Sequence, residues 1–497
     1  MKDLALGIDI GTTSIKIMAI GKDEILFQKE KPHDLISQKA GFAEENSKIW
    51  WEDLKSLLFE LDRNGFANRI ASIGVTGMVP ALVMLDDNLK VIRNVILQND
   101  SRSTEEIEFL KKTIKDEEFF ELTANTINQQ IIFPKIMWIR KNEPQNFQKA
   151  RWVMGSYDFI STKLTGIPHV ELNWALESGM LLVKEKRWYK DLLKEIGIEE
   201  KILPPIFEPA EVVGKVGKEV SEETGLPAGI PVIAGSADHI AASLAAGLVQ
   251  EGDLLLKVGG AGDIMFVTDS FKTEKRLFFD YHDIPGKYIL NGCMATSGSL
   301  IKWYMNLLNT DNYDELTKLA EMSSTGSEGI VTLPYFLGEK TPIFDTKARG
   351  LIFGLDLHHG RGDIFRSLLE SVSFGFKDHV EILKEDGFKI KRVFVSDGGA
   401  RNPLWRQILS DVIGMDLKYK KEKGSVFGVS LLAAYAVGII DNLCWPDKME
   451  KSEITHFNLQ NHLEYERYYA IYKKLYKSLK PIYEELYNLR EGKKDEI

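Results

Sequence analysis

The sequence predicts an α/β fold made of two similar domains. Its first apolar run, Leu4–Ile10, leads into Gly11-Thr12-Thr13-Ser14 and then into a second β-branched run, a pattern typical of strand, tight turn and strand. Half a chain later another apolar strand, Leu254–Val258, enters Gly259-Gly260-Ala261-Gly262 and a following strand. Strand-like and helix-like segments alternate along the chain, which favours helices layered on sheets. Two similar turns half a chain apart therefore indicate two related domains.

Length and composition limit what the protein can be. At 497 residues the chain is too long for one hydrophobic core, which predicts two large domains and a helical tail. Its formal net charge of −10 argues against a nucleic-acid or anionic-membrane partner, since either would need a basic face. The two cysteines lack the spacing of a disulfide framework or a zinc site, and no apolar run is long enough to span a bilayer. We therefore expect a soluble cytoplasmic protein.

The remaining elements follow from their periodicity and their end signals. Apolar residues at helical spacing predict helices, Pro134 marks a helix start and Gly166 a helix end. The segments predicted in chain order are a helix at Ser47–Leu61, strands at Ile70–Thr76 and Ala81–Leu85, helices at Ser103–Lys115 and Phe133–Asn142, strands at Pro231–Ala234 and Val331–Phe336, a helix at Asp363–Val380, a strand at Arg392–Ser396 and a Tyr- and Lys-rich helix at Glu464–Tyr487 that packs on the second domain. Residues 491–497 are expected to fray.

The first turn has the residues of a phosphate site. Gly11 lets the backbone come close to a ligand, and the amides and hydroxyls of Thr12, Thr13 and Ser14 can point at phosphate oxygens. Asp9 can hold Mg²⁺ beside them, directly or through water. Taken alone, an ordinary polar hairpin turn explains the same residues equally well.

Two further turns stand where α/β folds bind ligands. Asp238 follows a buried strand in the turn Gly235-Ser236-Ala237-Asp238 and opens an Ala-rich helix, although a lone Asp there is more often only a helix cap. Gly398 and Gly399 follow the strand at Arg392–Ser396 and precede Asn402, which allows a flat or phosphorylated ligand to come close. A Gly-Gly pair is more often just a turn.

Together these segments resemble the FGGY family of carbohydrate kinases, and within it the xylulokinase-like members, along almost the whole chain. Single motifs are weak, but their order and spacing are specific. The motifs are Asp9 to Ser14, Gly41-Phe42-Ala43-Glu44 followed by Trp50-Trp51, Asn99-Asp100-Ser101-Arg102, Lys135 to Asn142, and Gly350 to Leu355 spaced to Asp363-Ile364 and Ser367-Leu368-Leu369-Glu370.

The resemblance implies two ribonuclease-H-like domains of the actin/Hsp70/sugar kinase superfamily with a cleft between them. The N-terminal domain, 1–245, would bind sugar, and the C-terminal domain, 246–497, would bind ATP and end in the helical tail. The implied reaction is transfer of the γ-phosphoryl group of ATP to a hydroxyl of a small sugar such as the ketopentose xylulose. Alternatives are ribulose, glycerol or gluconate as the acceptor. Because dimers are common in the family, a homodimer is also expected.

The resemblance also implies roles for individual residues. Asp238 would be the catalytic base that takes the proton of the attacking hydroxyl, which outweighs its reading as a helix cap. Asp9 would lie near the metal. The residues implied for ATP are Gly11, Thr12, Thr13, Ser14, Lys16, Gly259, Gly260, Ala261, Gly262, Gly398, Gly399 and Asn402, and those for the sugar are Met78, Val79, Pro80, Asn99, Asn173 and Asp238.

Two departures from the family pattern affect these expectations. The second phosphate loop has Gly259-Gly260-Ala261-Gly262 in place of Gly-Thr-Ser-Gly, so two hydroxyl donors are absent. Since a neutral hydrogen bond contributes only about 1 kcal/mol net, ATP use should survive. Asp263, just beyond, is expected to be solvated or to cap a helix, with a role beside the metal as the alternative.

The second departure concerns the sugar. Met78-Val79-Pro80-Ala81 stands where xylulokinase-like proteins carry Gln-Met-His-Gly, so an apolar wall replaces hydrogen-bonding groups. An apolar wall discriminates weakly. We therefore expect D-xylulose either not to be the best substrate or to be used less well than another ketose, polyol or sugar acid.

Two other classes of protein remain as alternatives. A non-catalytic or assembly-forming ATPase of the same superfamily would share the first turn but would not need a base at Asp238. A nicotinamide-dependent dehydrogenase is suggested only by the α/β layering and the glycines, and the chain lacks a GxGxxG motif after its first strand.

Overall fold

The computed structural model describes residues 2–33, 41–421, 423–445 and 453–492. The chain forms two compact α/β units. The first contains Met1–Val249, Phe279–Tyr288 and Lys423–Pro446, and the second contains Gln250–Phe278, Ile289–Glu422 and Asp447–Ile497. Two later segments of the chain therefore belong to the first unit.

The secondary structure alternates as the sequence predicts. The strands are β1 (Leu4–Ile10), β2 (Ser14–Ile20), β3 (Ile25–Pro32), β4 (Glu44–Glu45), β5 (Ile70–Gly77), β6 (Val83–Leu85), β7 (Val95–Ile96), β8 (Trp152–Met154), β9 (Val170–Glu171), β10 (Leu181–Leu182), β11 (Arg187–Trp188), β12 (Ile206–Phe207), β13 (Val212–Lys215), β14 (Pro231–Ile233), β15 (Ser236–Ala237), β16 (Asp253–Val258), β17 (Gly262–Thr268), β18 (Phe278–Tyr281), β19 (Tyr288–Met294), β20 (Val331–Leu333), β21 (Leu351–Phe353), β22 (Arg392–Ser396), β23 (Leu417–Tyr419) and β24 (Glu453–Thr455). The helices are α1 (Ser47–Arg63), α2 (Thr104–Thr113), α3 (Asp116–Thr123), α4 (Phe133–Asn142), α5 (Pro144–Lys149), α6 (Ser156–Thr165), α7 (Leu172–Glu177), α8 (Lys190–Ile196), α9 (Lys218–Thr224), α10 (Asp238–Ala245), α11 (Gly298–Leu307), α12 (Tyr313–Met322), α13 (Arg361–Glu385), α14 (Pro403–Ile413), α15 (Gly424–Ala436) and α16 (Leu459–Gly492).

The first unit is built on a mixed sheet in the order β13-β14-β5-β1-β2-β3, with β15 paired to β5. Strands β1 and β2 form the predicted antiparallel hairpin, while β1, β14 and β15 all run parallel to β5. Parallel strands end at the same edge of a sheet. The segments that follow β1, β5 and β15 therefore meet at one edge.

Helices cover both faces of this sheet. On one face α15 packs so closely that a Cβ on Gly7 would lie 2.1 Å from the Ser430 hydroxyl, and a Cβ on Gly428 would lie 1.8 Å from the Ala241 carbonyl oxygen of α10. On the other face Ser156 of α6 would be 2.9 Å from a Cβ on Gly77. The glycines inside these elements are thus explained by close packing.

The second unit repeats the hairpin. Strands β16 and β17 are antiparallel around residues 259–261, and β22 runs parallel to β16. The helix α13 is buried along most of its length, and the tyrosines of α16 pack beside it, with Tyr465 and Tyr472 each 1% exposed. The Tyr465 hydroxyl donates to Glu370 of α13 at 2.9 Å. The prediction that the aromatic residues of the final helix pack it on the second domain is confirmed.

Most predicted elements are confirmed, with ends that shift by a few residues. The predicted helix at Ser103–Lys115 is shorter, at Thr104–Thr113, and the predicted helix at Asp363–Val380 is longer, at Arg361–Glu385. Gly166 ends α6 with a positive φ of 74°, as its pattern predicts. Residues 493–497, in the segment expected to fray, lie outside the described residues. Within the described ranges, no helix has the length and the apolar character needed to cross a membrane.

Candidate active site

One edge of the first sheet brings three of the predicted segments together. In the sheet register Asp9 of β1 is opposite Thr76 of β5, and Thr76 is opposite Ser236 of β15. The turn at residues 11–14, the segment at residues 78–80 and Asp238 each begin two residues beyond these positions. The Met78 N–H donates to the Ile10 carbonyl at 3.1 Å, which ties two of the segments to each other.

The turn after β1 is closed and partly open to solvent. The Gly11 N–H donates to the Ser14 carbonyl at 3.0 Å, Thr12 and Thr13 are exposed, and Ser14 is buried. Lys16, opposite Asp9 in the register, pairs with an exposed glutamate of β3. The predicted phosphate-binding residues of the first unit thus lie at the same sheet edge as Asp238.

Asp9 is a buried carboxyl at the end of β1. It is 8% exposed, and its Oδ2 accepts a hydrogen bond from the Ser425 hydroxyl at 2.8 Å. Burial raises the pKa of Asp9 to about 6, with a smaller increase from the charge of Asp238, while the Ser425 hydrogen bond and Lys16 act in the opposite direction. Ser425 is far away in the sequence and was not predicted. Asp9 and Asp238 are therefore close enough to influence each other's charge.

Asp238 is placed in the first turn of α10. The residue at the helix cap is Ala237, so Asp238 is not the cap. Its Oδ1 accepts a hydrogen bond from the N–H of His239 at 2.7 Å, and its side chain is 43% exposed. The carboxylate is thus held on one side and open to a ligand on the other.

The predicted sugar-binding residues differ in how accessible they are. Met78 and Val79 are 3% and 5% exposed, Pro80 is buried, and Asn99 is exposed. Asn173 is fully buried, and its amide both donates to the Tyr281 carbonyl at 3.0 Å and accepts from the Tyr281 N–H at 2.9 Å. The position of Asn173 explains how Phe279–Tyr288 is fixed to the first unit, and a contact of its amide with sugar stays a prediction.

Sequence reasoning missed the side chains that surround Asp238. The Nε2 atom of His239 lies 3.3 Å from Asp280 Oδ2 and 3.9 Å from Glu177 Oε1. Asp283 is 2% exposed, and burial raises its pKa to about 7. His239 could have been noticed as the neighbour of Asp238. The acids come from separate elements and carry no local signal.

In the second unit, the predicted phosphate loop lies against the start of α11. The N–H groups of Ser297 and Ser299 both donate to the Gly260 carbonyl, at 2.9 and 3.1 Å, and the Gly298 N–H donates to Gly259 at 2.7 Å. A Cβ on Gly298 would be only 2.8 Å from the Gly259 carbonyl oxygen, so this position requires glycine. The loop and the helix start therefore form one fixed cradle.

Two hydroxyls in this cradle have no hydrogen-bond partner among the residues that the structure describes. The Oγ atoms of Ser297 and Ser299 are buried without a hydrogen bond, and Ser297 is 0% exposed. Ser297 caps α11, yet its hydroxyl does not accept from the helix N–H groups. An unpaired buried hydroxyl is costly, so both are candidates for a ligand contact. The sequence signal, Ser-Gly-Ser before an apolar helix, was overlooked.

The Gly398-Gly399 turn adjoins the same cradle. A Cβ on Gly259 would lie 2.6 Å from Asp397 Oδ2, and a Cβ on Gly399 would lie 2.5 Å from a Val258 methyl group. Asn402, 5% exposed, caps α14 by accepting from two backbone N–H groups and donates to α12. The ligand contacts predicted for Gly398, Gly399 and Asn402 stay predictions, but their segments are adjacent to the loop at 259–262.

Asp263 does not cap a helix, so that part of the expectation is wrong. It lies inside β17, opposite Lys257 of β16, and is partly exposed, which leaves its solvation and its role beside the metal as predictions. Burial, together with the Asp263 carboxylate, raises the pKa of the neighbouring Cys293 thiol to about 12. The local sequence gave no sign that the strand already begins at Gly262.

Comparisons with known proteins cover both units. The chain matches the models of the N-terminal domain and the C-terminal domain of the FGGY family of carbohydrate kinases over residues 4–245 and 258–437. It is 30% identical over 493 residues to a xylulose kinase of Lactococcus lactis, covering 97% of this chain and 98% of that protein. To a xylulose kinase of Bacillus subtilis it is 28% identical over 500 residues, covering 98% and 99%. The crystal structure of xylulose kinase from Rhodospirillum rubrum superposes with a TM-score of 0.92 at 38% identity, covering 97% of this chain and 100% of that one.

Proposed function

The chain belongs to the FGGY family of carbohydrate kinases and is an ATP-dependent sugar kinase, and we propose that it phosphorylates a neutral ketose such as D-xylulose with Asp238 as the base. The observation that carries this proposal is the common sheet edge at which Asp9, the turn at residues 11–14, the segment at residues 78–80 and Asp238 meet. A sugar kinase needs a base, a phosphate-binding turn and a substrate wall within reach of one another.

The reaction follows from these groups. The oxygen of the sugar hydroxyl forms a bond to the γ-phosphorus, while the bond from that phosphorus to the β,γ-bridging oxygen breaks and ADP leaves with the electron pair. The hydroxyl proton passes to the Asp238 carboxylate, which is 43% exposed and therefore accessible to it. The amides and hydroxyls of Thr12 and Thr13, which are exposed, spread the charge of the phosphoryl oxygens.

Mg²⁺ fits the acids of the same edge. Asp9 is buried, its pKa is raised to about 6 mainly by burial, and Asp238 is a second acid near it. A carboxyl group that is costly to ionise is a suitable ligand for a hard divalent cation, because the cation removes that cost. Asp9 would hold the ion, directly or through water, and the ion would offset negative charge on the phosphates.

The cradle of the second unit would hold the nucleotide. Gly259 and Gly260 provide backbone groups, and the unpartnered hydroxyls of Ser297 and Ser299 lie next to them. These hydroxyls replace the two donors that the Gly-Gly-Ala-Gly loop lacks, because they come from the helix start that is bonded to that loop. Gly398, Gly399 and Asn402 would border the adenosine.

The acids around the base favour a neutral sugar. Glu177, Asp280 and Asp283 surround His239 and Asp238. The cation of this cluster, His239, is already paired with Asp280 and Asp238, so it offers a substrate carboxylate no additional positive partner, which argues against a gluconate-type acceptor. The full-length similarity to xylulose kinases supports D-xylulose as the first ketose to test.

The test is a coupled assay of ADP formation with Mg·ATP and D-xylulose. Sugar-dependent turnover is expected, and Asp238→Asn should lower kcat by at least about 10²-fold, since a general base contributes roughly 10² to 10⁴. The matched control is Asp87→Asn, the same substitution at an exposed carboxyl of the first unit. Turnover of the Asp238 variant at a rate near wild type would refute the assignment. A cytoplasmic location and a homodimer stay predictions.

A further inference from the structure

His239 lies between carboxyl groups from three elements. Its Nε2 is 3.3 Å from Asp280 Oδ2 of β18 and 3.9 Å from Glu177 Oε1 at the end of α7. Its Nδ1 is 3.5 Å from Oδ1 of Asp238, the residue before it in α10. The His239 N–H also donates to that Oδ1 at 2.7 Å. The base is thus contacted twice by one residue.

The geometry favours a charged ring. A carboxylate oxygen only accepts hydrogen bonds, and a neutral imidazole can donate from one nitrogen alone. Both ring nitrogens of His239 face carboxyl oxygens, at 3.3 Å for Nε2 and 3.5 Å for Nδ1, and this arrangement favours an imidazolium. The buried Asp280, 2% exposed, is its anchor.

The electrostatic balance agrees with the geometry. Burial lowers the pKa of His239, but the hydrogen bonds to Asp238 and Asp280 and the charges of Asp280 and Glu177 outweigh it, so that the pKa lies well above its usual value. The groups that face the ring are Asp238 of α10, Glu177 of α7, Asp280 of β18 and Asp283 in the segment after β18.

We infer that His239 is a positioning residue for the base: its imidazolium, anchored by Asp280, orients the Asp238 carboxylate and places a positive charge beside it. This inference rests on the proposed function of Asp238. Both contacts of His239 fall on Oδ1, which leaves Oδ2 to receive the proton of the sugar hydroxyl.

The test compares pH profiles of kcat/KM for the sugar. An opposite charge within roughly 4–6 Å lowers the pKa of a carboxyl by about 1–3 units, so His239→Asn should move the acid limb up by about one unit or more. At pH values below the acid limbs of both proteins, a shift of one unit lowers kcat/KM of the variant about tenfold relative to the wild type, because one pKa unit changes the ionised fraction by a factor of ten. The KM for ATP should stay within about twofold. Asn keeps an amide donor and adds no bulk.

A second variant tests the anchor. Asp280→Asn removes the anchor that holds the ring against Asp238, so kcat/KM for the sugar should fall at pH values above the acid limb. The double variant with His239→Asn should be no worse than His239→Asn alone, because the anchor acts only through the ring. A merely structural role for His239 would shift no acid limb and would give additive losses in the double variant.

The outcomes separate this inference from the proposed function. If the wild type shows no sugar-dependent turnover, the proposed function fails. If the wild type is active and His239→Asn has the wild-type profile, only the inference fails.

Metal binding is the alternative role for His239, Glu177 and Asp280, since their ligand atoms lie within 4.8 Å of one another. Stoichiometric Zn²⁺ binding to the nucleotide-free wild type that His239→Asn abolishes would overturn the inference. Should His239→Asn fail to fold, Asp280→Asn decides it.

Discussion

Replacing Asp9 by Asn should stabilise the protein while removing its activity. The Asp9 carboxyl is 8% exposed, and burial raises its pKa from 3.8 to about 6. The folded protein therefore keeps this proton up to a pH at which the unfolded chain has lost it. As the pH rises from about 4 to about 6, the group withdraws stability from the wild type, and Asn, which cannot ionise, escapes this loss.

The size of the effect follows from the shift. The pKa of Asp9 differs by about 2 units between the folded and the unfolded protein, and each unit corresponds to about 1.36 kcal/mol. Ionisation of Asp9 therefore lowers the free energy of unfolding by about 3 kcal/mol in total, of which about 2 kcal/mol is lost between pH 4.5 and 7.5. Each unit of this protein has the size of a large domain, in which 1 kcal/mol shifts the melting temperature by about 2–4 °C. The melting temperature of Asp9→Asn, minus that of the wild type, should therefore increase by about 4–8 °C between those two pH values.

The assay is thermal unfolding at several pH values without nucleotide and with EDTA, so that no cation offsets the charge. The Asn side-chain oxygen still accepts from the Ser425 hydroxyl, which keeps the local hydrogen bond. Asp87→Asn, the same substitution at an exposed carboxyl, serves as the control. A difference that stays constant or shrinks as the pH rises would refute the reasoning. Turnover of Asp9→Asn with Mg·ATP should be strongly reduced.

Three further expectations concern nucleotide binding, stability and substrate choice. Ser297→Ala and Ser299→Ala should each raise the KM for ATP about fivefold, which corresponds to the loss of one neutral hydrogen bond of about 1 kcal/mol, without changing the KM for the sugar. An unchanged KM for ATP in the double variant would contradict their role. Gly399→Ala places a Cβ 2.5 Å from a neighbouring valine methyl and should destabilise the protein by about 1–3 kcal/mol in thermal unfolding. If Val79 and Pro80 face the sugar as an apolar wall, kinetics over ketoses, polyols and sugar acids should show another neutral acceptor used at least as well as D-xylulose, and gluconate used poorly. A kcat/KM for D-xylulose about tenfold or more above all others would exclude weak discrimination.

Local chemistry was sufficient to predict the hairpins and most helices. The Gly-rich turns at residues 11–14 and 259–262 each join two apolar runs, and a chain with that pattern has few alternatives to a hairpin. The meeting of Asp9 and Asp238 at one edge is also a local consequence, because Asp9 lies near the end of β1, Asp238 directly follows β15, and both strands run parallel to β5. Pattern reasoning works here because the interactions are between neighbours in the sequence or the sheet.

The missed contacts join distant parts of the chain. Ser425 reaches Asp9 across 416 positions, and Asp280 reaches His239 because Phe279–Tyr288 belongs to the first unit. A serine or an aspartate in a loop carries no mark of such a partner. The hydroxyls of Ser297 and Ser299 likewise come from a helix start that is bonded to the loop rather than from the loop itself, so inspection of the loop alone could not find them.

The surroundings of the base show why these distant residues matter. Four other acidic side chains lie around Asp238, namely those of Asp9, Glu177, Asp280 and Asp283. Burial raises the pKa of Asp9, Glu177 and Asp283. Such a cluster costs stability, yet it suits a reaction in which a carboxylate must take a proton and a divalent cation must be held. His239 is the cation that this chain itself contributes. In the proposed arrangement its positive charge lies beside Asp238 and offsets part of the negative charge of the surrounding acids, so that the same cluster would hold a divalent cation and still accept a proton.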